Sequence, residues 1–303
     1  MPDLTGDYLA LREDAGAVWL ARDFVRVAGP DAVTFLQGQL SQDVGLTAGG
    51  SAWALLLQPQ GKVVALVRVT RIGNEEFVLD TDEGWAATVV ERLSRFKLRV
   101  KADVEPLAWR CLAVRGPRAH DAVAGTAGTA GGGLVVAADW PGLPGADLIG
   151  PSPEPPAGVR ICAADAYQAV RVEAGVPEMG RELDERTIPA EAGVVERSVS
   201  FTKGCYTGQE LVARIDSRGG NVPRRLRGVV IGTNLIPPPG ASVTVDGKAV
   251  GELTSVAESF GRRAPVALAY VRRAVEPPAD AVVAWDGGSA PARIEALPLV
   301  SCV

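Results

Sequence analysis

The chain has 303 residues, 47% hydrophobic and 22% charged, with a formal net charge of -5. That length holds two domains or one large one, and the composition is ordinary for a globular protein. The acidic balance argues against a chain built mainly to grip nucleic acid, and no apolar run reaches the roughly 18 residues that a membrane span needs. Met1-Pro2-Asp3-Leu4 shows no basic segment leading into an apolar core, and Cys111, Cys162, Cys205 and Cys302 share no CxxC spacing. A cytoplasmic location is the simplest expectation, with neither a disulfide framework nor a metal site. His120 borders a Gly/Ala-rich stretch, a poor place to hold a catalytic base rigidly. No dinucleotide or P-loop glycine motif is present.

Gly29-Pro30-Asp31 reads as a helix start, followed by Val33, Phe35, Leu36, Leu40 and Val44 on one apolar face. Trp53 to Leu57 and Lys62 to Val69 are β-rich runs joined by the turn Gln58-Pro59-Gln60-Gly61. Phe77 to Leu79 is a short strand, and a second amphipathic helix carries Trp85, Val89, Leu93 and Phe96. Leu107 to Val114 returns to strand. Residues 121–133 and 141–158, rich in Ala, Gly, Thr and Pro, read as flexible surface connections, with a strand at Leu134 to Ala137 between them. Ala163 to Ala174 is helical and ends at Gly175, a C-cap. After Pro223 come six short β-rich runs: Arg227 to Ile231, Ser242 to Val245, Ala249 to Thr254, Val266 to Val271, Ala281 to Trp285 and Ala292 to Leu297. Asp246-Gly247 is a hairpin turn, and the spacing suggests a small barrel or sandwich. The fold class is α+β, with antiparallel pairing favoured and a domain boundary near 223, giving domains 1–222 and 223–303.

Lys203-Gly204-Cys205-Tyr206-Thr207-Gly208-Gln209-Glu210 stands just before that boundary. A thiol, an ammonium, a phenol, an amide and a carboxylate crowd into one short stretch. Lys203 is placed to hold Cys205 partly as thiolate, the reactive form. If Gln209 to Ile215 is a helix, its N-terminal N–H groups add to that setting. The alternative is a glycine-punctuated turn around a buried, inert cysteine.

This octapeptide resembles the signature of the YgfZ family, folate-binding relatives of the glycine cleavage T-protein. Further resemblance lies in Phe35-Leu36-Gln37-Gly38-Gln39-Leu40, in Leu57 to Lys62 (LQPQGK), in Arg171 to Gly175 (RVEAG), and in Gly251 to Ser255 with Ala267 to Val271. The resemblance implies a ring of three subdomains ending in a small β-barrel, with tetrahydrofolate or a one-carbon derivative in its middle. It implies Glu173 at the pterin, where two adjacent N–H donors suit a carboxylate. Asp80, where the T-protein has an asparagine, is a further cofactor-binding candidate, with Arg171, Tyr206 and Gln209. Without the resemblance, Glu173 reads as a solvated helix-end acid. Ala65 falls where the T-protein carries its aspartate, which argues against glycine-cleavage transfer. The implied role is a folate-dependent factor in iron–sulfur cluster assembly or repair. Its partners are iron–sulfur enzymes, tRNA-modifying ones included, or assembly proteins, and Cys205 and Lys203 carry the chemistry. A folate-dependent one-carbon transferase and a scaffold without folate are the alternatives.

Overall fold

The computed structural model describes residues 3–126 and 133–300. The described residues build two five-stranded sheets and a closed six-stranded barrel. The first sheet runs in the order Ser51–Leu57, Val63–Gly73, Glu76–Asp82, Arg22–Ala28, Asp103–Leu107, all antiparallel. The second runs Arg160–Ile161, Gly16–Leu20, Arg110–Arg115, Gly145–Gly150, Leu134–Ala137. Its one parallel pair, Gly16–Leu20 with Arg160–Ile161, makes it mixed rather than purely antiparallel. The barrel comprises Arg224–Ile231, Ser242–Val245, Lys248–Ser259, Ala264–Arg272, Ala279–Trp285 and Gly288–Glu295. Closure leaves no sheet edge, which is why strands this short hold together.

The predicted helices sit where their apolar spacing put them. Ala32–Gln39 buries Phe35 and Leu36, and Ala86–Arg95 buries Val89 and Leu93. Ala164–Ala174 stops at Gly175, whose φ of 73° lets the N–H of Val176 reach back to the Arg171 carbonyl. Asp246 and Gly247 both take positive φ, the geometry of a two-residue hairpin loop.

Three readings are corrected. The run 107–114 is not one strand: the chain breaks at Ala108-Trp109, and Asp103–Leu107 and Arg110–Arg115 belong to different sheets. Apolar content alone cannot mark such a crossing. The connection 141–158 contains Gly145–Gly150, a wholly buried strand of the second sheet. Gly145 is there for contact, since a Cβ on it would stand 2.7 Å from the Ala138 carbonyl oxygen. The N-terminal helix Leu4–Glu13 and the strands Gly16–Leu20 and Arg22–Ala28 were not foreseen. Of the other predicted connection, 121–133, residues 121–123 belong to the short helix Ala119–Val123 rather than to a loop, and residues 127–132 lie outside the described residues, as does Cys302.

Candidate functional site

The two sheets face each other across a buried row of charge. Antiparallel register places Trp53 opposite Arg68, and Arg68 opposite Asp80, so all three share one face of the first sheet. Arg22 and Asp82 pair in the next row of that face. On the second sheet Asp147 pairs opposite Ala113, with Arg115 two residues along the same face. Arg68, fully buried, joins the sheets: it donates to Asp80 at 2.9 Å and to Asp147 at 2.7 Å. Arg115 donates to the other oxygen of Asp147 at 2.7 Å. Burial pushes the Asp147 carboxyl upward, but Arg115 and Arg68 prevail and hold it at about 2.

Above this floor lies an inter-sheet cavity of about 420 Å³. Trp19, Trp53, Trp140 and Tyr167 give it flat aromatic walls. Gln168, Arg171, Glu178, Arg181 and Arg197 line it with the floor residues Arg22, Asp82, Arg115 and Asp147. Arg115 stacks 4.6 Å from the centre of the Trp140 ring, and Arg22, Arg68 and Arg197 surround Trp53 at 5.6, 5.4 and 5.7 Å. A flat aromatic ligand with polar edges and negative charge suits such walls.

Of the residues singled out from sequence, only Arg171 reaches this cavity. Asp80 lies beneath the wall, fully buried and held by Arg22 and Arg68. Glu173 is not a solvated acid, nor does it line the cavity. Two residues along a helix is roughly a half-turn, so Arg171 and Glu173 point to opposite sides. Glu173 is fully buried and accepts from the Tyr8 hydroxyl at 2.9 and 3.0 Å and from the Ser259 hydroxyl, with Arg12 3.8 Å away. Burial raises its pKa against those three partners. It ties the N-terminal helix to the barrel. Five residues further on, Glu178 does line the cavity, and it accepts from Gln168 at 3.1 Å.

The octapeptide occupies a separate place. Lys203 Nζ donates to the carbonyls of Gln37, Leu40 and Gln42 at 2.7, 2.7 and 3.0 Å, closing the end of the helix Ala32–Gln39. Its three hydrogen bonds go to backbone carbonyls. Burial brings the Lys203 pKa down to about 8. Tyr206 is buried, 5.3 Å from the Lys203 ammonium, and its N–H donates to the Gln209 side chain at 3.1 Å. Neither Tyr206 nor Gln209 is part of the cavity wall. Gly208, with φ of 85°, caps the helix Gln209–Ser217. A Cβ there would lie 2.4 Å from the Gln58 carbonyl oxygen, and one at Gly61 would lie 2.6 Å from Leu211 Cβ. The LQPQGK turn and the octapeptide are therefore two halves of one contact. Cys205 is exposed, not the buried cysteine of the alternative reading, while Cys111 and Cys162 are buried.

Trp53, Arg22, Arg115, Tyr167, Glu178 and Arg197 escaped the sequence reading because each lies in a strand, helix or loop of ordinary composition. The only available signal was arginine inside otherwise apolar strands, as at Arg68 in VVALVRV and Arg115 in RCLAVR. Buried arginines demand paired carboxylates. Among the described residues no group of three or more His, Cys, Asp or Glu is placed to hold a metal ion, and no helix is long and apolar enough to cross a membrane.

Two sheets facing across a cavity, followed by a closed barrel, is the fold of the glycine cleavage T-proteins. The crystal structure of glycine cleavage system aminomethyltransferase T from Bartonella henselae matches with a TM-score of 0.84 at 21% identity, covering 99% of this chain and 90% of that one. Residues 7–130 match the GCVT N-terminal domain, and residues 224–300 match the glycine cleavage T-protein C-terminal barrel domain. The human mitochondrial iron–sulfur cluster assembly factor IBA57 is 31% identical, over 78% of this chain and 75% of that protein. The aminomethyltransferase of Streptomyces avermitilis is 28% identical, over 96% of this chain and 88% of its own. The chain belongs to the T-protein family that includes aminomethyltransferases and IBA57-type assembly factors.

Proposed function

We propose that this protein is a tetrahydrofolate-binding accessory factor in iron–sulfur cluster assembly or repair. The reduced folate occupies the inter-sheet cavity, and Cys205 acts at the surface away from it. The cavity wall carries the reading: four aromatic rings stand beside carboxylates and beside buried guanidinium N–H groups that lack acceptors. Those residues fit a pteridine. Tyr167 offers a flat face, and Glu178 offers carboxylate oxygens to ring N–H donors. When bound, the reduced pteridine supplies nitrogens that carry one-carbon units. The protein's residues stack it, orient it and keep water from it.

The iron–sulfur role draws on the likeness to the human assembly factor and on the exposed Cys205. Iron–sulfur enzymes, those that modify tRNA among them, are the proposed clients. A one-carbon transferase is the second reading, favoured by full-length likeness to aminomethyltransferases. Against glycine-cleavage chemistry stands the hairpin: Ala65 is buried in the core, and Leu66, its neighbour, is the residue that meets the cavity. Neither can take up a proton.

Cys205→Ser tests the role. In cells lacking the protein, the variant should fold and bind tetrahydrofolate yet fail to restore activity of an iron–sulfur enzyme. Full restoration would remove Cys205 from the function. Ammonia release above background from the aminomethylated lipoyl carrier protein, with tetrahydrofolate as the one-carbon acceptor, would favour the transferase.

A further inference from the structure

The cavity has two charged ends, and they balance differently. At one end Arg171 and Arg181 meet Glu178 and Glu182. Arg171 lies 3.2 Å from each carboxylate, and Arg181 lies 3.3 Å from Glu178. Two cations face two anions.

At the other end Arg22, Arg68, Arg115 and Arg197 meet only Asp80, Asp82 and Asp147. Asp80 takes Arg22 at 2.7 Å and Arg68 at 2.9 Å, and Asp82 takes Arg22 at 2.8 Å. Asp147 takes Arg68 and Arg115 at 2.7 Å each. The carboxylates are fully engaged, because the second Asp82 oxygen accepts the Met179 N–H at 2.8 Å. Four guanidinium ions against three carboxylates leave one positive charge. Arg197 is the cation over, with no carboxylate at ion-pair distance among the described residues. Glu83, the other acid of the wall, is exposed at the rim.

Unmet donors mark the same spot. Arg197 Nε and Arg22 Nη2 are buried without an acceptor, and both guanidinium groups lie over the Trp53 ring, at 5.7 and 5.6 Å. The Arg22 side chain is only 9% exposed. Burial lowers the Arg197 pKa to about 10 against the pull of Asp82, as befits a cation short of counter-charge.

We propose that Arg197 and Arg22 form an anion-recognition corner over Trp53 that accepts one carboxylate of the cavity's ligand. A guanidinium fork matches a carboxylate in two-point geometry, and the aromatic floor holds the fork flat. This rests on the folate reading, in which the ligand's glutamyl tail supplies the carboxylate. The two arginines then select folates over tail-less pterins of the same ring.

Calorimetric titration of the full chain separates the two ideas. The probes are tetrahydrofolate and 6-methyltetrahydropterin, which lacks the tail, against wild type and Arg197→Gln. Wild type should prefer tetrahydrofolate at least tenfold. Arg197→Gln should erase that preference, weakening tetrahydrofolate about 10- to 100-fold as for a lost charge-assisted bond, with pterin affinity unchanged. Its melting temperature without ligand should hold or rise, because an unbalanced buried charge has been removed. Should Arg197→Gln fail to fold, Arg197→Lys, which keeps the charge but not the fork, should keep part of the preference. Equal affinity of wild type for both probes, or equal losses for both in the variant, would overturn the corner and leave the folate site standing. Binding of neither probe by wild type would bring down both.

Discussion

Glu173 and Glu178 lie on one short stretch of chain and face different surroundings. Glu173 is locked between Tyr8 and Ser259, so Glu173→Ala leaves two buried hydroxyls without their acceptor. Chemical denaturation should show a loss of about 2–3 kcal/mol. Tetrahydrofolate affinity of the folded fraction should stay unchanged, whereas Glu178→Ala should weaken it with little loss of stability. The RVEAG segment did show a carboxylate worth singling out. What it could not show is which side of the helix met the cavity, because a half-turn separates Arg171 from Glu173 and both are buried. Lys203 teaches the same lesson. From sequence it is a charge near a thiol; in the fold it caps three carbonyls. Lys203→Ala should cost about 2 kcal/mol, read as a lower urea midpoint. Alkylation of Cys205 in the folded variant should proceed at the wild-type rate.

Among the elements, the turn Gln58–Gly61 and the start of the helix Gln209–Ser217 determine each other. Gly208 approaches the Gln58 carbonyl so closely that any side chain must displace backbone, and its φ is left-handed as well. Gly208→Ala should cost about 2 kcal/mol or more, from strain and displacement together. Gly204, with nothing within 4 Å of its absent Cβ, should accept alanine within about 0.5 kcal/mol. Thermal melts of the two variants compare them directly. Elements with local signals were legible: helical spacing around Phe35 and Leu36, the Asp246-Gly247 turn, and the C-cap at Gly175. Elements defined by long-range burial were not. Gly145–Gly150 reads as a loop although Gly145 serves close packing, and the break at Ala108-Trp109 serves a change of sheet that no local pattern announces.

At the scale of the whole molecule, buried carboxylates join the parts. Glu182 accepts from Ser255 at 2.6 Å and Thr254 at 2.7 Å on the barrel, and Glu173 reaches Ser259 on the same strand. Asp147 joins the two sheets. Its carboxyl is held near 2, below the ordinary 3.8, so its ionised form contributes stability in full above about pH 4. That contribution, about 2 kcal/mol, is lost as pH falls from 4 towards 2. Acid unfolding followed by circular dichroism should therefore steepen in that window, and Asp147→Asn should be destabilised at pH 7 and less sensitive to acid. The order of sheets and barrel was legible through the resemblance of motifs, whereas the cavity was not, because its walls come from segments far apart in the chain. The measurement that bears most directly on this account is titration of tetrahydrofolate into wild type and Trp53→Ala by calorimetry, paired with thermal melts. Saturable binding by wild type, a melting temperature that rises with ligand, and at least tenfold weaker binding by Trp53→Ala are the expected results. No heat and no shift at saturating tetrahydrofolate, or equal affinity in the two proteins, would contradict a folate site between the sheets.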